Sequence, residues 1–449
     1  MNKTIFFLLI CLYANIFAKD DVIYVKLNTE SSLVPLYLSE IIDDQAIYSP
    51  EYLKKLYEVF RFDLNNNGFT YVISKDKNKK DFFDLDKDME EIKKLGANFI
   101  VKAKVWKNQL SVNVYSPVLH IAKTLENLEL KGVLAEDRRK IHQITDQITQ
   151  TFFQAIGIAS SKILYTLKQK NEEGKWKSEI WESDYDGYNA KPIIEQNEGY
   201  CITPIYLPPK SHGVTGSICY ISYKAGQSKI YFSSKKNPLS QRFTLLKGNQ
   251  LMPAISRQRD KLAFISDFTG NPDIFIQEFD PEKGAIGKPQ QIFSARHATQ
   301  GTPTFDPTGK KIAFVSNKDG SPKIYSLEIP KPGTKLNQIN IKLLTKHNRE
   351  NSAPNWSPDG KKIAYCAMTQ GVRQIWIYDL EKEEEIQLTQ GPGNKENPCW
   401  AANSLHILFN STGKNGSELF LLNLNQPNAI KISQGIGEKR FPSWEPKGT

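Results

Sequence analysis

Six prolines, Pro204, Pro253, Pro303, Pro354, Pro398 and Pro442, follow one another at spacings of 49, 50, 51, 44 and 44 residues. Two positions after each stands a bulky residue: Tyr206, Ile255, Phe305, Trp356, Trp400 and Trp444. A turn, a short apolar strand and a second strand come next, most clearly where 353–365 reads Ala-Pro-Asn-Trp-Ser-Pro-Asp-Gly-Lys-Lys-Ile-Ala-Tyr. One such unit cannot bury both faces of its own sheet. Copies arranged radially can, so the pattern predicts four-stranded blades in a β-propeller. Such a fold works through one face and the mouth of its central channel.

The copies can be set in register. Second strands carry the triplets Ile163–Tyr165, Ile218–Tyr220, Leu262–Phe264, Ile312–Phe314, Ile363–Tyr365 and Ile407–Phe409, and fourth strands end near Ile193, Leu245, Ile292, Leu344, Leu388 and Ile432. The proline-anchored strand precedes the triplet in every copy but the first, and the last such strand, Phe441–Pro446, has no blade after it. That strand therefore becomes the inner strand of the blade begun at Ile163, which closes six blades and leaves no free sheet edge.

Upstream the pattern changes. Lys3, the apolar run Ile5–Leu12 and Ile16-Phe17-Ala18 read as a secretory signal. Lipid attachment at Cys11 is a weaker reading, because Ile10 precedes it where a small residue would be expected. Strands are expected at 22–27 and 69–73, helices at 52–60, 88–95 and 137–155, and a hairpin from 98–105 and 109–115 turning at 107–108. Gly157-Ile158 is expected to end the last helix. The predicted organisation is a signal peptide at 1–18, an α/β domain at 19–160 and a six-bladed propeller at 161–449, closed by the C-terminal strand.

Composition narrows the function. With 39% hydrophobic residues the chain can build two cores. No segment after the leader approaches the roughly 20 apolar residues of a membrane helix, so a soluble, exported, monomeric protein that does not span the membrane is expected. The net charge of +10 is dispersed, with basic 75–80 offset by acidic 381–385, which argues against nucleic acid. Cys201, Cys219, Cys366 and Cys399 lie in or beside strands and read as buried thiols, with a Cys201–Cys219 disulfide as the alternative. The six histidines include no pair at metal-ligand spacing, and neither Gly-x-Ser-x-Gly nor a phosphate-binding loop occurs. The Asp359-Gly360 and Thr308-Gly309 turns read as hairpin turns rather than calcium loops. No catalytic role and no cofactor is expected.

Loops are more informative. Connections between blades, and those from second to third strands, fall on one face: 296–302, 346–352, 391–397 and 434–440, with 316–323 and 368–374. They bring His297, His347, Arg349, Asn351, Asn397, Lys439 and Arg440 to one channel mouth. Basic groups and carboxamides there suit an acidic or hydrogen-bonding partner. A secreted propeller enzyme, or a glycan-binding protein using the same mouth, is the alternative.

Several blocks go beyond the repeat. Asp63-Leu64 to Gly68-Phe69, Leu95-Gly-Ala-Asn-Phe-Ile-Val101, Asp137–Asp146, Gly157-Ile158 followed by Ile163-Leu-Tyr165, and the terminal 439–446 resemble the TolB family, the periplasmic component of the bacterial Tol–Pal envelope system. The resemblance implies a non-enzymatic periplasmic adaptor that supports outer-membrane integrity and constriction during cell division. It would bind the peptidoglycan-associated lipoprotein Pal at the channel mouth and the inner-membrane protein TolA through its N-terminal segment. Other outer-membrane proteins are further candidate partners. By position the Pal-facing loops are 297–302 and 348–352, which adds Thr299, Thr302, Asn348 and Ser352 to the rim. The TolA-facing segment is Asp20, Asp21, Val22, Ile23, Tyr24, Val25, Lys26 and Leu27.

Overall fold

A computed structural model describes residues 33–73, 94, 96–194, 200–209, 216–234, 240–281, 283–426 and 428–447, together with the backbone of 24–25. Six four-stranded antiparallel sheets make the propeller. Blade 2 is built from 201–206, 217–222, 229–234 and 241–242, and blade 3 from 250–255, 261–266, 273–280 and 284–293. Blade 4 comprises 300–305, 311–316, 323–328 and 341–343, and blade 5 comprises 351–356, 362–369, 372–379 and 384–387. Blade 6 runs through 394–400, 406–413, 416–423 and 430–431. Blade 1 takes its inner strand, Glu438–Trp444, from the C-terminus and its other three from 162–170, 176–184 and 191–192. The closing register pairs Trp444 with Ile163 and Lys439 with Leu167, so the ring closes as expected.

The anchor prolines mark a bulge. In every blade the register of the inner strand shifts at the proline and the residue before it. That preceding residue takes a left-handed φ: Thr203 54°, Met252 52°, Thr302 37°, Ala353 50°, Asn397 54° and Phe441 53°. Proline has no N–H to leave unpaired where the ladder breaks, so it suits the position. Beyond the bulge the blades are joined to one another. Trp356 N–H donates to Thr304 Oγ1 (3.2 Å), Trp400 N–H to Asn355 Oδ1 (2.9 Å) and Trp444 N–H to Cys399 Sγ (3.3 Å). The four cysteines are free, and burial raises the Cys399 thiol to about 11.

Leu245 corrects the register reading. It is 87% exposed, whereas Phe243 is buried and its N–H donates to Ile230 O. Leu344, Leu388 and Ile432 make the equivalent bond in their blades, so Phe243 is their counterpart.

Among the described residues, the N-terminal unit is a six-stranded mixed sheet covered by two long helices. α1 (Pro50–Asn65) begins where Ser49 accepts from Tyr52 N–H and Pro50 fills the first turn, where its missing N–H has no partner to lose. α2 (Leu134–Phe153) buries Ile141, Ile144 and Ile148 against Leu56, Phe60 and the sheet residues Val101, Val105 and Val112. The hairpin forms from 99–107 and 109–116. The strand expected at 69–73 forms at 70–72, and strands at 34–38, 42–46 and 121–129, which were not anticipated, complete the sheet. The expected helix at 88–95 lies, apart from Lys94, outside the described residues. Gln154 in the left-handed conformation ends α2, not Gly157. A Cβ on Gly157 would stand 2.6 Å from Asp146 Cα, so the glycine serves a close approach between segments.

Candidate functional site

The N-terminal unit sits on the face formed by turns between first and second, and between third and fourth, strands. The end of α1 reaches blade 6, where His406 Nε2 meets Asn66 O at 2.9 Å and Asn425 Nδ2 donates to Gly68 O at 2.9 Å. Lys447 after the closing strand pairs with Asp146 of α2 at 2.7 Å. At this end the channel holds a cavity of about 280 Å³, walled by the repeated aromatics and by Ile156, which follows α2. The opposite mouth carries the loops between blades, and the described sheet and helices of this domain lie away from it.

On that free rim the expected residues divide. His297, Thr299, His347 and Arg349 are exposed. Thr302, Ser352, Asn397 and Arg440 are half-buried, and Asn348, Asn351 and Lys439 are buried. The His347 ring packs on Trp376, with centroids 5.1 Å apart, and the His347 backbone N–H donates to Glu385 Oε1 at 2.9 Å. Thr299 N–H donates to Asn317 Oδ1 at 2.7 Å. Asn397 Nδ2 donates to Asn410 (2.8 Å), Ser352 Oγ lies 2.9 Å from Cys366 Sγ, and Arg440 pairs with Glu438 at 3.2 Å.

Lys439 is not presented to a partner. It is 1% exposed, its ammonium donates to Gly435 O at 2.5 Å, and it pairs with Glu418 at 3.2 Å. The same device holds three other rim loops. Lys395 donates to the carbonyls of Gly391 (2.7 Å) and Pro392 (2.5 Å), Lys229 to Leu246 O at 3.0 Å, and Lys323 to Asn348 O. Burial lowers the Lys229 pKa, with Arg242 adding to it. Part of the basic charge read into the rim is thus internal bracing for loop carbonyls. Asn351 belongs to that bracing, since its Nδ2 donates to Asn348 O at 2.9 Å.

Sequence reasoning missed the apolar half of this face. Tyr200, Tyr223, Leu245, Phe268 and Ile436 are exposed in loops of blades 1 to 3, and Met252 is exposed at its bulge. The signal available was large apolar side chains within predicted loops, where nothing covers them.

Of the expected N-terminal segment, Tyr24 and Val25 lie within the described backbone; Asp20, Asp21, Val22, Ile23, Lys26 and Leu27 lie outside it. Tyr24 and Val25 form a short antiparallel pair with Gln390 and Thr389. That places the segment directly beside Gly391 and Pro392, the rim carbonyls held by Lys395.

A six-bladed propeller with an α/β domain over one mouth and a mixed polar and apolar rim at the other has the form of an interaction module. Comparison with known proteins specifies which one. A family model described as the TolB beta propeller domain matches residues 150–448. A TolB homolog of Protochlamydia amoebophila is 51% identical over 389 residues, covering 84% of this chain and 82% of that protein. One from Chlamydia felis is 37% identical over 384 residues, covering 85% and 83%. The crystal structure of TolB from Acinetobacter baumannii shares the fold with a TM-score of 0.74 at 19% identity, over 95% of this chain and all of that one. The chain belongs to the TolB family and is a Tol–Pal-type propeller protein. Among the described residues, no helix is long and apolar enough to cross a membrane.

Proposed function

We propose that this protein is a non-catalytic periplasmic adaptor that binds a Pal-type lipoprotein at the free rim and a TolA-type inner-membrane protein through residues 20–27. By joining the two it would support envelope integrity and constriction at division. The observation that carries the reading is the neighbourhood of the two elements. The strand at Tyr24–Val25 pairs with 389–390, and the rim loop 391–393 follows at once. A partner that shifts this loop changes the cost of releasing the strand, which is the coupling an adaptor between two membranes requires. His297, Thr299, His347 and Arg349 on the polar side, with Phe268 and Met252 on the apolar side, provide a polar edge and an anchor surface.

The test is calorimetric titration of the mature protein with the periplasmic domain of a Pal-type lipoprotein. Arg349→Glu and Phe268→Ala are each expected to weaken binding about tenfold or more with the melting temperature unchanged, because both side chains are exposed. Asn351→Ala is expected to lower stability as well, since the amide braces its own loop. Undiminished affinity in both exposed variants would move the site off this rim.

A further inference from the structure

Where α2 meets blade 1, side chains from both domains converge on a buried polar cluster. His142 of α2 is 1% exposed, and its Nδ1 lies 2.7 Å from Asp63 Oδ2. The other oxygen of Asp63 accepts from the Tyr185 hydroxyl at 2.7 Å. The remaining ring nitrogen, His142 Nε2, has no hydrogen-bond partner and faces Asp186 Oδ2 at 3.8 Å. Asp184 ends the third strand of blade 1 and Asp186 lies just past Tyr185 in the turn to the fourth, and both are buried. One ligand atom from each of His142, Asp184 and Asp186 lies within 4.8 Å of the others.

Two physical facts bear on this arrangement. His142 Nε2, buried and turned toward Asp186, lacks the hydrogen-bond partner a buried polar atom normally has, and a ligand held there would supply one. The cluster is also acidic. Asp63, Asp184 and Asp186 bring three carboxyl groups, against the single guanidinium of Arg138, which pairs with Asp186. A cation suits such a set of oxygen donors.

We propose that His142, Asp184 and Asp186 bind a divalent transition-metal ion, Zn²⁺ being the best chemical match, which ties the N-terminal domain to blade 1. One imidazole and two carboxylates form a mixed N/O set suited to zinc rather than the all-oxygen set of calcium or magnesium. Asp63 supplies the carboxylate that orients a metal-bound imidazole from its far nitrogen. A cleft of about 740 Å³ between α1 and blade 1 reaches one of the three ligands, being lined by Arg138, Asp186 and Tyr188. Arg138 stacks on the Tyr188 ring at 3.8 Å and so keeps a seat when Asp186 turns to the ion. The remaining oxygens have local donors, Asn189 on Asp184 and Tyr188 N–H on Asp186 at 3.2 Å.

The experiment strips the mature protein with a chelator and titrates zinc chloride alone. One ion per chain is expected, with a rise in melting temperature and at least about tenfold weaker binding in Asp184→Asn. Because that variant can also disturb the turn, X-ray absorption on the wild-type zinc protein supplies a second readout. One imidazole among nitrogen and oxygen neighbours supports the site. No binding at 100-fold molar excess, stoichiometric binding unchanged in Asp184→Asn, or a shell lacking imidazole would each overturn it. None of these outcomes bears on Pal binding, so the two proposals fail separately.

Discussion

His406 fills a fully buried position between domains, with Nδ1 beside the Asn403 amide and Nε2 beside Asn66 O. Burial lowers its pKa from the ordinary 6.5 to about 4, against a smaller opposing effect of the Asn66 carbonyl. Between those values the unfolded chain takes a proton that the native state refuses. The stabilisation is therefore complete above pH 6.5 and is lost as pH falls toward 4, by roughly 3 kcal/mol. Urea midpoints at pH 7.5 and pH 4.5 should fall further for wild type than for His406→Gln. Equal falls would place the acid sensitivity elsewhere. Nothing in the sequence marked His406 as a contact between domains, because Asn66 is 340 positions away.

At the scale of elements, legibility followed periodicity. α1 and α2 were readable because their apolar stripes repeat every three or four residues. The strands at 34–38, 42–46 and 121–129 were not. Val34-Pro-Leu-Tyr-Leu contains a proline, Ile42-Asp-Asp-Gln-Ala has few apolar residues, and 121–129 is mostly exposed. Their conformation comes from neighbouring strands rather than from their own pattern. Among its described residues, the N-terminal strand pairs with 389–390 over two positions. Val25→Pro removes an N–H and should weaken that pairing. If docking competes with TolA, this variant binds the TolA domain several-fold more tightly, whereas deletion of 20–27 abolishes binding and spares Pal. Unchanged TolA affinity in Val25→Pro would show that the pairing does not gate the segment.

Across the whole molecule the closing strand matters most. Deleting 441–449 removes Trp444, 4% exposed, and leaves Ile163 and Leu164 without their ladder partners. Loss of one buried tryptophan costs about 3–5 kcal/mol, a large part of the roughly 5–15 kcal/mol that holds a domain folded. Loss of the cooperative transition by circular dichroism, with rapid proteolysis, is expected. A truncated protein that melts like wild type would overturn the closure argument. The blade count, the closure and the face carrying the loops were determined by sequence alone, because each blade is written in local apolar alternation and repeated. Tertiary structure alone decided which rim residues reach solvent, turning Lys439 and Asn351 inward to brace loop carbonyls. It also decided the contacts between domains. Arg138 and Asp186 are 48 residues apart, His142 and Asp63 79, and Tyr185 and Asp63 122. Such groups become neighbours only when two separately patterned cores dock, and no local periodicity encodes that step.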